Sequence, residues 1–222
     1  MPRTTVFCDF DGTITIEDLI VQVWSRFAQP GWEQVVDDMH AGRVSLKDGV
    51  PALFAQIPFS KKHEIIAYAK QVVRFREGFP DFLRFCRKYT LNFVVLSGGV
   101  DFFVYPVLDP YKQFISRIYS VPSSLNGPNI TLDLQYACDT DALCKAKILD
   151  AWPKSSQRLF IGDSITDVHG ARVANRVFAR GRLPALLDRE RIVYEPFENF
   201  TDIMRKLEPQ LAADAAPRRR FP

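Results

Sequence analysis

The chain has 222 residues, 47% of them hydrophobic and 25% charged, with a formal net charge of +3. That is enough for a sizeable core, in one domain with an insert or in two small ones. No run approaches the roughly 18 apolar residues of a membrane span, and no basic-aromatic interleaving points to nucleic acid.

Residues 4–9 read as a buried strand, Thr4-Thr5-Val6-Phe7-Cys8-Asp9, entered straight from Met1-Pro2-Arg3. That leaves no room for a signal peptide, so a cytoplasmic setting is expected. Beyond it, Leu19, Ile20, Val23, Trp24 and Phe27 recur at helical spacing, followed by helical patterns around residues 35–39, 50–57 and 65–73. No strand signal interrupts residues 16–75, which read as a helical insert. Pro80 suits a helix first turn, with Phe79, Phe82, Leu83 and Cys86 as its apolar stripe. Residues 91–96 are a strong buried strand ending at Ser97-Gly98-Gly99, and residues 101–108 look helical. Short strands are expected over 115–121 and 130–134, around Asn126-Gly127-Pro128, and a helix over 141–151. A further strand over 158–161 ends at Gly162-Asp163. A helix over 168–174, a last strand over 177–179 and a closing helix over 198–207 complete the pattern. Residues 211–222 lack an apolar pattern, carry Arg218-Arg219-Arg220 and are expected to be disordered.

Apolar strands alternating with helices imply an α/β fold, a parallel sheet with helices on both faces. Ligands in such sheets bind beyond the carboxyl ends of the strands. Asp9, Asp11, Ser97 and Asp163 all fall there. On its own, Asp-x-Asp-Gly is a turn with a solvated acidic pair. At a strand end, the i, i+2 spacing aims two carboxylates into one crevice, which suits a hard divalent cation and a nucleophilic oxygen.

The chemistry this suggests is hydrolysis of a phosphate ester. Asp9 is the candidate nucleophile, and Asp11 the acid that protonates the leaving alkoxide and then activates water. Ser97 and the N–H of Gly98 would bind phosphoryl oxygens, and Lys145 would supply positive charge, with Lys147 as its rival. Asp163 would complete a Mg²⁺ site with Asp9 and the carbonyl of Asp11, and Asp167 would orient water or Lys145. Asp18 is either a substrate contact or a first-turn acid complementing the helix dipole. Phe102, Phe103 and Arg76 are candidates for the substrate surface, with capping of the end of the insert as the other reading of Arg76. The phenylalanines read more readily as core. Cys8 and Cys86 read as core thiols, and Cys138 and Cys144 have no histidine near them in sequence, so a zinc site is not expected.

Asp9-Phe10-Asp11-Gly12-Thr13, Leu96-Ser97-Gly98-Gly99, Lys145 and Gly162-Asp163-Ser164-Ile165-Thr166-Asp167, in that order, resemble the four motifs of the haloacid-dehalogenase-like phosphatases. The resemblance covers residues 4 to about 208 and implies a Rossmann-like three-layer core over 1–15 and 77–210. Residues 16–76 resemble the small C1 cap of the phosphoserine-phosphatase branch, and Thr13 is expected to support the site. Ile14-Thr15, Arg76-Glu77-Gly78-Phe79, residues 97–106 and Cys144-Lys145 narrow the likeness to the methionine-salvage phosphatases of 2-hydroxy-3-keto-5-methylthiopentenyl-1-phosphate. That implies Mg²⁺ as cofactor and a small phosphorylated metabolite as partner, with no nucleic acid or membrane, in a monomer or homodimer. Phosphoserine phosphatase, another small-metabolite phosphatase, a phosphotransferase and a non-catalytic phosphate-binding protein are the alternatives.

Overall fold

The computed structural model describes residues 4–124, 127–153 and 155–215. It is built on six parallel strands. β1 (Thr4–Asp9) is followed by one wide turn at residues 10–14, then α1 (Leu19–Phe27), α2 (Trp32–His40), α3 (Leu46–Phe54) and α4 (Lys62–Val72). Then come α5 (Phe79–Lys88), β2 (Asn92–Val100), α6 (Asp101–Leu108), β3 (Arg117–Val121), β4 (Ser123–Ser124) and β5 (Thr131–Leu132). The chain continues through α7 (Lys145–Asp150), β6 (Gln157–Gly162), α8 (Val168–Arg172) and β7 (Arg176–Ala179). It closes with α9 (Leu183–Glu190), β8 (Glu195–Pro196) and α10 (Phe200–Ala215).

The sheet order is β3-β2-β1-β6-β7-β8, with every neighbour parallel. β4 and β5 form a separate antiparallel pair. Val6, Phe7 and Cys8 are wholly buried, as are Val94, Val95 and Leu96, and Phe160 and Ile161. Continuous apolar runs of this kind mark strands covered on both faces. The chain leaves β1 in one direction to β2 and β3, then returns to its other side as β6 and β7. This reversal opens a crevice at the carboxyl ends of β1, β2 and β6. Register sets the level: Asp9 lies opposite Leu96, and Cys8 opposite Ile161. Asp9, Ser97 and Asp163 therefore leave three adjacent strands at one height.

Helices α1–α4 lie between β1 and α5. The two chain segments that enter and leave them run side by side: Thr15 bridges Phe75 in antiparallel fashion, Ile16 N–H donates to the Arg74 carbonyl, and Arg76 N–H to that of Ile14. Among the described residues no helix is long and apolar enough to cross a membrane.

Several boundaries depart from the sequence reading. The helix expected over 141–151 begins only at Lys145, because residues 138–144 fold as a loop held by Cys138 N–H on the Asp141 carbonyl and Cys144 N–H on that of Tyr136. β2 continues through Gly98-Gly99 to Val100, with a register shift against β3. The strand at 176–179 is not the last, since α9 and the two-residue β8 follow it. The closing helix runs on through the alanine-rich residues to 215, where helix propensity substitutes for an apolar stripe. Of the tail expected to be disordered, 211–215 are thus helical, and 216–222 lie outside the described residues, as does Asn126.

Candidate active site

Asp9 ends β1 with 4% of its surface exposed. The loop after it turns sharply at Gly12, whose φ of +74° lies in the left-handed region open to glycine. A methyl group there would stand 2.5 Å from Asp163 Oδ2, so the glycine also permits the close approach of the acidic loop after β6. Thr13 Oγ1 donates to Asp163 Oδ1 at 3.0 Å and fastens the two loops together.

Lys145 opens α7 and is wholly enclosed. Its Nζ lies 2.5 Å from Asp9 Oδ1 and 2.5 Å from Asp167 Oδ1, and 3.4 Å from Thr166 Oγ1. Asp167 is fully buried, and its second oxygen accepts from the main-chain N–H groups of Asp163 at 2.9 Å and Ser164 at 3.0 Å. Lys147 is exposed and donates to the Ala137 carbonyl at 2.7 Å, so it takes no part in this cluster. The choice between the two lysines follows from where α7 starts: in a helix beginning at Lys145, the first residue faces the strand ends and the third faces water.

Asp11 lies beside this pair. Its Oδ1 accepts the N–H of Leu19 at 2.8 Å, at the start of α1, and its Oδ2 accepts from Ser97 Oγ at 3.3 Å. Ser97 is buried and also accepts the N–H of Gly99. Around Gly98 nothing lies within 4 Å of where a side chain would begin, so this residue borders open space. Asp18, at the position preceding α1, is exposed to solvent and makes no capping hydrogen bond to the helix.

The electrostatics follow from crowding. Oxygens of Asp9, Asp163 and Asp167 lie within 4.8 Å of one another. Burial would push the Lys145 ammonium's pKa down, but the carboxylates of Asp167 and Asp9 outweigh it and hold the group charged. Three carboxylates share one ammonium, so an excess of negative charge remains. Burial and the Asp167 charge accordingly push Asp9 up, with Lys145 opposing. Asp163 is pushed up to about 6 by burial and then by Asp167. Asp11 is pushed up to about 8, by burial and then by the charge of Asp18, against the N–H groups of Leu19 and Ile20.

Uncompensated, hard oxygen donors at this spacing fit a small divalent cation, which would remove the excess charge. The carboxylates in the trio are those of Asp9, Asp163 and Asp167. That of Asp11 is turned toward α1 and Ser97.

Two arginines complete the frame. Arg76, a candidate for the substrate surface, is instead buried, and its guanidinium donates to the carbonyls of Thr13 at 2.8 Å, Gly12 at 2.7 Å and Thr15 at 3.1 Å. Arg180, after β7, donates to the Gly12 carbonyl at 2.9 Å and had no signal in the sequence. Phe102 and Phe103 are core: Phe103 stacks on Phe54 of α3, and Phe102 meets the same ring edge-on.

The sequence matches the family model of the haloacid dehalogenase-like hydrolases over residues 6–172. It is similar to a 2-hydroxy-3-keto-5-methylthiopentenyl-1-phosphate phosphatase from Brevibacillus brevis, 35% identical over 93% of this chain and 96% of the relative. The phosphatase of that name from Bacillus cereus is 37% identical over 91% and 95%. Among solved structures, a phospho-aspartyl intermediate analogue of phosphoserine phosphatase superposes with a TM-score of 0.69 at 14% identity, over 93% of this chain and 99% of the other. An apo phosphoserine phosphatase gives 0.69 at 16%, over 92% and 98%.

Proposed function

The chain belongs to the haloacid dehalogenase-like hydrolases, and from that premise we propose that it is a Mg²⁺-dependent phosphomonoester hydrolase acting through an aspartyl-phosphate on 2-hydroxy-3-keto-5-methylthiopentenyl-1-phosphate. The observation that carries the reading is the buried Lys145, held between Asp9 and Asp167 at the floor of a crevice lined by Asp11, Ser97 and Asp163.

Each residue then has a task. Lys145 holds Asp9 Oδ1, so attack on phosphorus falls to Oδ2. That oxygen forms the new P–O bond while the ester P–O bond breaks. Asp11, which burial holds above the ordinary carboxylate range, gives its proton to the leaving alkoxide. In the second step Asp11 takes a proton from water, the water oxygen bonds to phosphorus and the Asp9 carboxylate leaves. Ser97 rotates from Asp11 to the phosphoryl group, and the open space at Gly98 lets its N–H reach a phosphoryl oxygen. Asp167 holds Lys145, and Thr13 holds Asp163. Asp9, Asp163 and the Asp11 carbonyl would hold Mg²⁺, which would supply positive charge to the phosphoryl oxygens.

We read residues 16–76 as a cap over a core of residues 1–15 and 77–210, with Asp18 at the cap's edge meeting substrate. The enzyme is read as cytoplasmic, in keeping with its four free cysteines, and as a monomer or homodimer. The test is phosphate release, with and without Mg²⁺, from the enol phosphate made in situ, phosphoserine and several sugar phosphates. The expected result is a preference for the enol phosphate of about 10²-fold or more in kcat/KM, about 2.7 kcal/mol. A preference for phosphoserine would overturn the substrate. No Mg²⁺-dependent release from any compound would overturn the reaction.

A further inference from the structure

A second cluster of ligating groups lies behind the crevice. The loop expected to be helical instead brings Cys138, Asp141 and Cys144 together at intervals of three residues, and α8 brings His169 against them. His169 Nδ1 lies 2.9 Å from Asp141 Oδ2, and Cys138 Sγ lies 3.8 Å from the same oxygen. Ligating atoms of these three residues all fall within 4.8 Å of one another. The Cys144 thiol neighbours both Cys138 and Asp141. Asp141 is 5% exposed, unusual for a carboxylate whose partners are a thiol and an imidazole. Cys138, Cys144 and His169 line a cavity of about 370 Å³, open enough to admit an ion.

We propose that Cys138, Asp141, Cys144 and His169 bind one zinc-class divalent ion. The donor set is mixed sulfur, nitrogen and oxygen, which suits Zn²⁺ and disfavours Mg²⁺. Bonds of about 2.0–2.3 Å to a tetrahedral ion put ligand atoms roughly 3.2–3.8 Å apart, so His169, Asp141 and Cys138, with separations of 2.9 and 3.8 Å, need little adjustment, and the neighbouring Cys144 thiol would turn in as the fourth ligand. The sequence spacing hides this site, because His169 lies 28 residues beyond Asp141. The ion would clasp the loop before α7 to α8. Cys144 directly precedes Lys145, and His169 follows Asp167 by two residues, so the clasp spans the two segments that meet in the crevice. This metal is separate from the cation of the acidic trio and does not depend on the phosphatase reading.

The experiment is metal analysis of the full chain, purified under reducing conditions and dialysed against metal-free buffer, followed by substitution with Co²⁺. The expected result is one zinc per chain, and a cobalt spectrum with a thiolate charge-transfer band and the strong visible bands of a tetrahedral site. His169→Ala and Cys144→Ser are each expected to weaken zinc by at least about tenfold. The wild-type cobalt spectrum decides the matter if either variant fails to fold, since cobalt held by carboxylates alone gives no thiolate band. Absence of the thiolate band, zinc held unchanged by both variants, or a Cys138–Cys144 disulfide in metal-free protein would each overturn the proposal.

Discussion

Lys145 and Asp9, 136 residues apart in the chain, meet at 2.5 Å with almost none of either side chain exposed. Replacing Lys145 with Met leaves the buried Asp9 and Asp167 without their counter-charge. Removing one member of a buried ion pair costs about 3–5 kcal/mol, and losing its charge at the reacting phosphoryl costs roughly 10²–10³ in kcat. Lys147→Met is expected to match the wild type in both. Denaturant midpoints and initial rates on the two variants check this, and equal loss in both would sink the assignment of the lysine.

Asp11→Asn separates acid catalysis from nucleophilic attack. Without the proton of Asp11, an alkyl phosphate is expected to lose about 10²–10⁴ in kcat, whereas p-nitrophenyl phosphate, whose leaving group needs no proton, loses far less. Asp9→Asn is expected to abolish both. The ratio of rates on the two substrates is the measurement.

Metal binding and pH are linked with a definite sign. Asp163 and Asp11, raised to about 6 and about 8, hold protons more tightly in the folded chain than in the unfolded one. Their contribution to stability is present at low pH and is lost as pH rises from the ordinary carboxylate range through those values. A divalent cation reverses this, because it binds the ionised form. The rise in Tm on adding Mg²⁺ is therefore expected to be larger near pH 8 than near pH 5, as thermal unfolding would show. A shift independent of pH would count against a carboxylate site.

Two glycines distinguish space from packing. Gly98 avoids the left-handed region and has nothing around its missing side chain, so Gly98→Ala is expected to keep stability within about 1 kcal/mol while its methyl group obstructs the phosphoryl site and raises KM. At Gly162 a methyl would stand 2.4 Å from Asp167 Cγ. Gly162→Ala is expected to cost about 1–3 kcal/mol and to lower kcat by displacing Asp167 from Lys145. Paired thermal unfolding and kinetics test the contrast.

What the sequence made legible was whatever is written locally. Asp9 and Asp11 declare themselves because a strand end fixes where alternate residues point, and the runs around Phe7, Val94 and Phe160 declare a buried parallel sheet. Lys145 and Lys147 compete for one role in the sequence, and the start of α7 at Lys145, with Ile148 and Leu149 buried on the same face, tells them apart. Arg76 and Arg180 act on main-chain carbonyls 61 to 168 residues away, contacts that leave no pattern in spacing or composition. β8, two residues long, carries too little periodicity to be seen.

The place of β1 in the sheet has a consequence for synthesis. It is made before the other strands of its sheet and is a central one, with β2 on one side and β6 on the other. Its second neighbour begins at Gln157, so at 5–20 residues per second a ribosome holds that edge open for roughly 8 to 30 s. Through that interval a strand whose Val6, Phe7 and Cys8 are wholly buried in the finished fold, with Asp9 at its tip, has an unpaired side. The nascent protein therefore meets the chaperones of its cell while its future floor of catalysis is still an exposed edge.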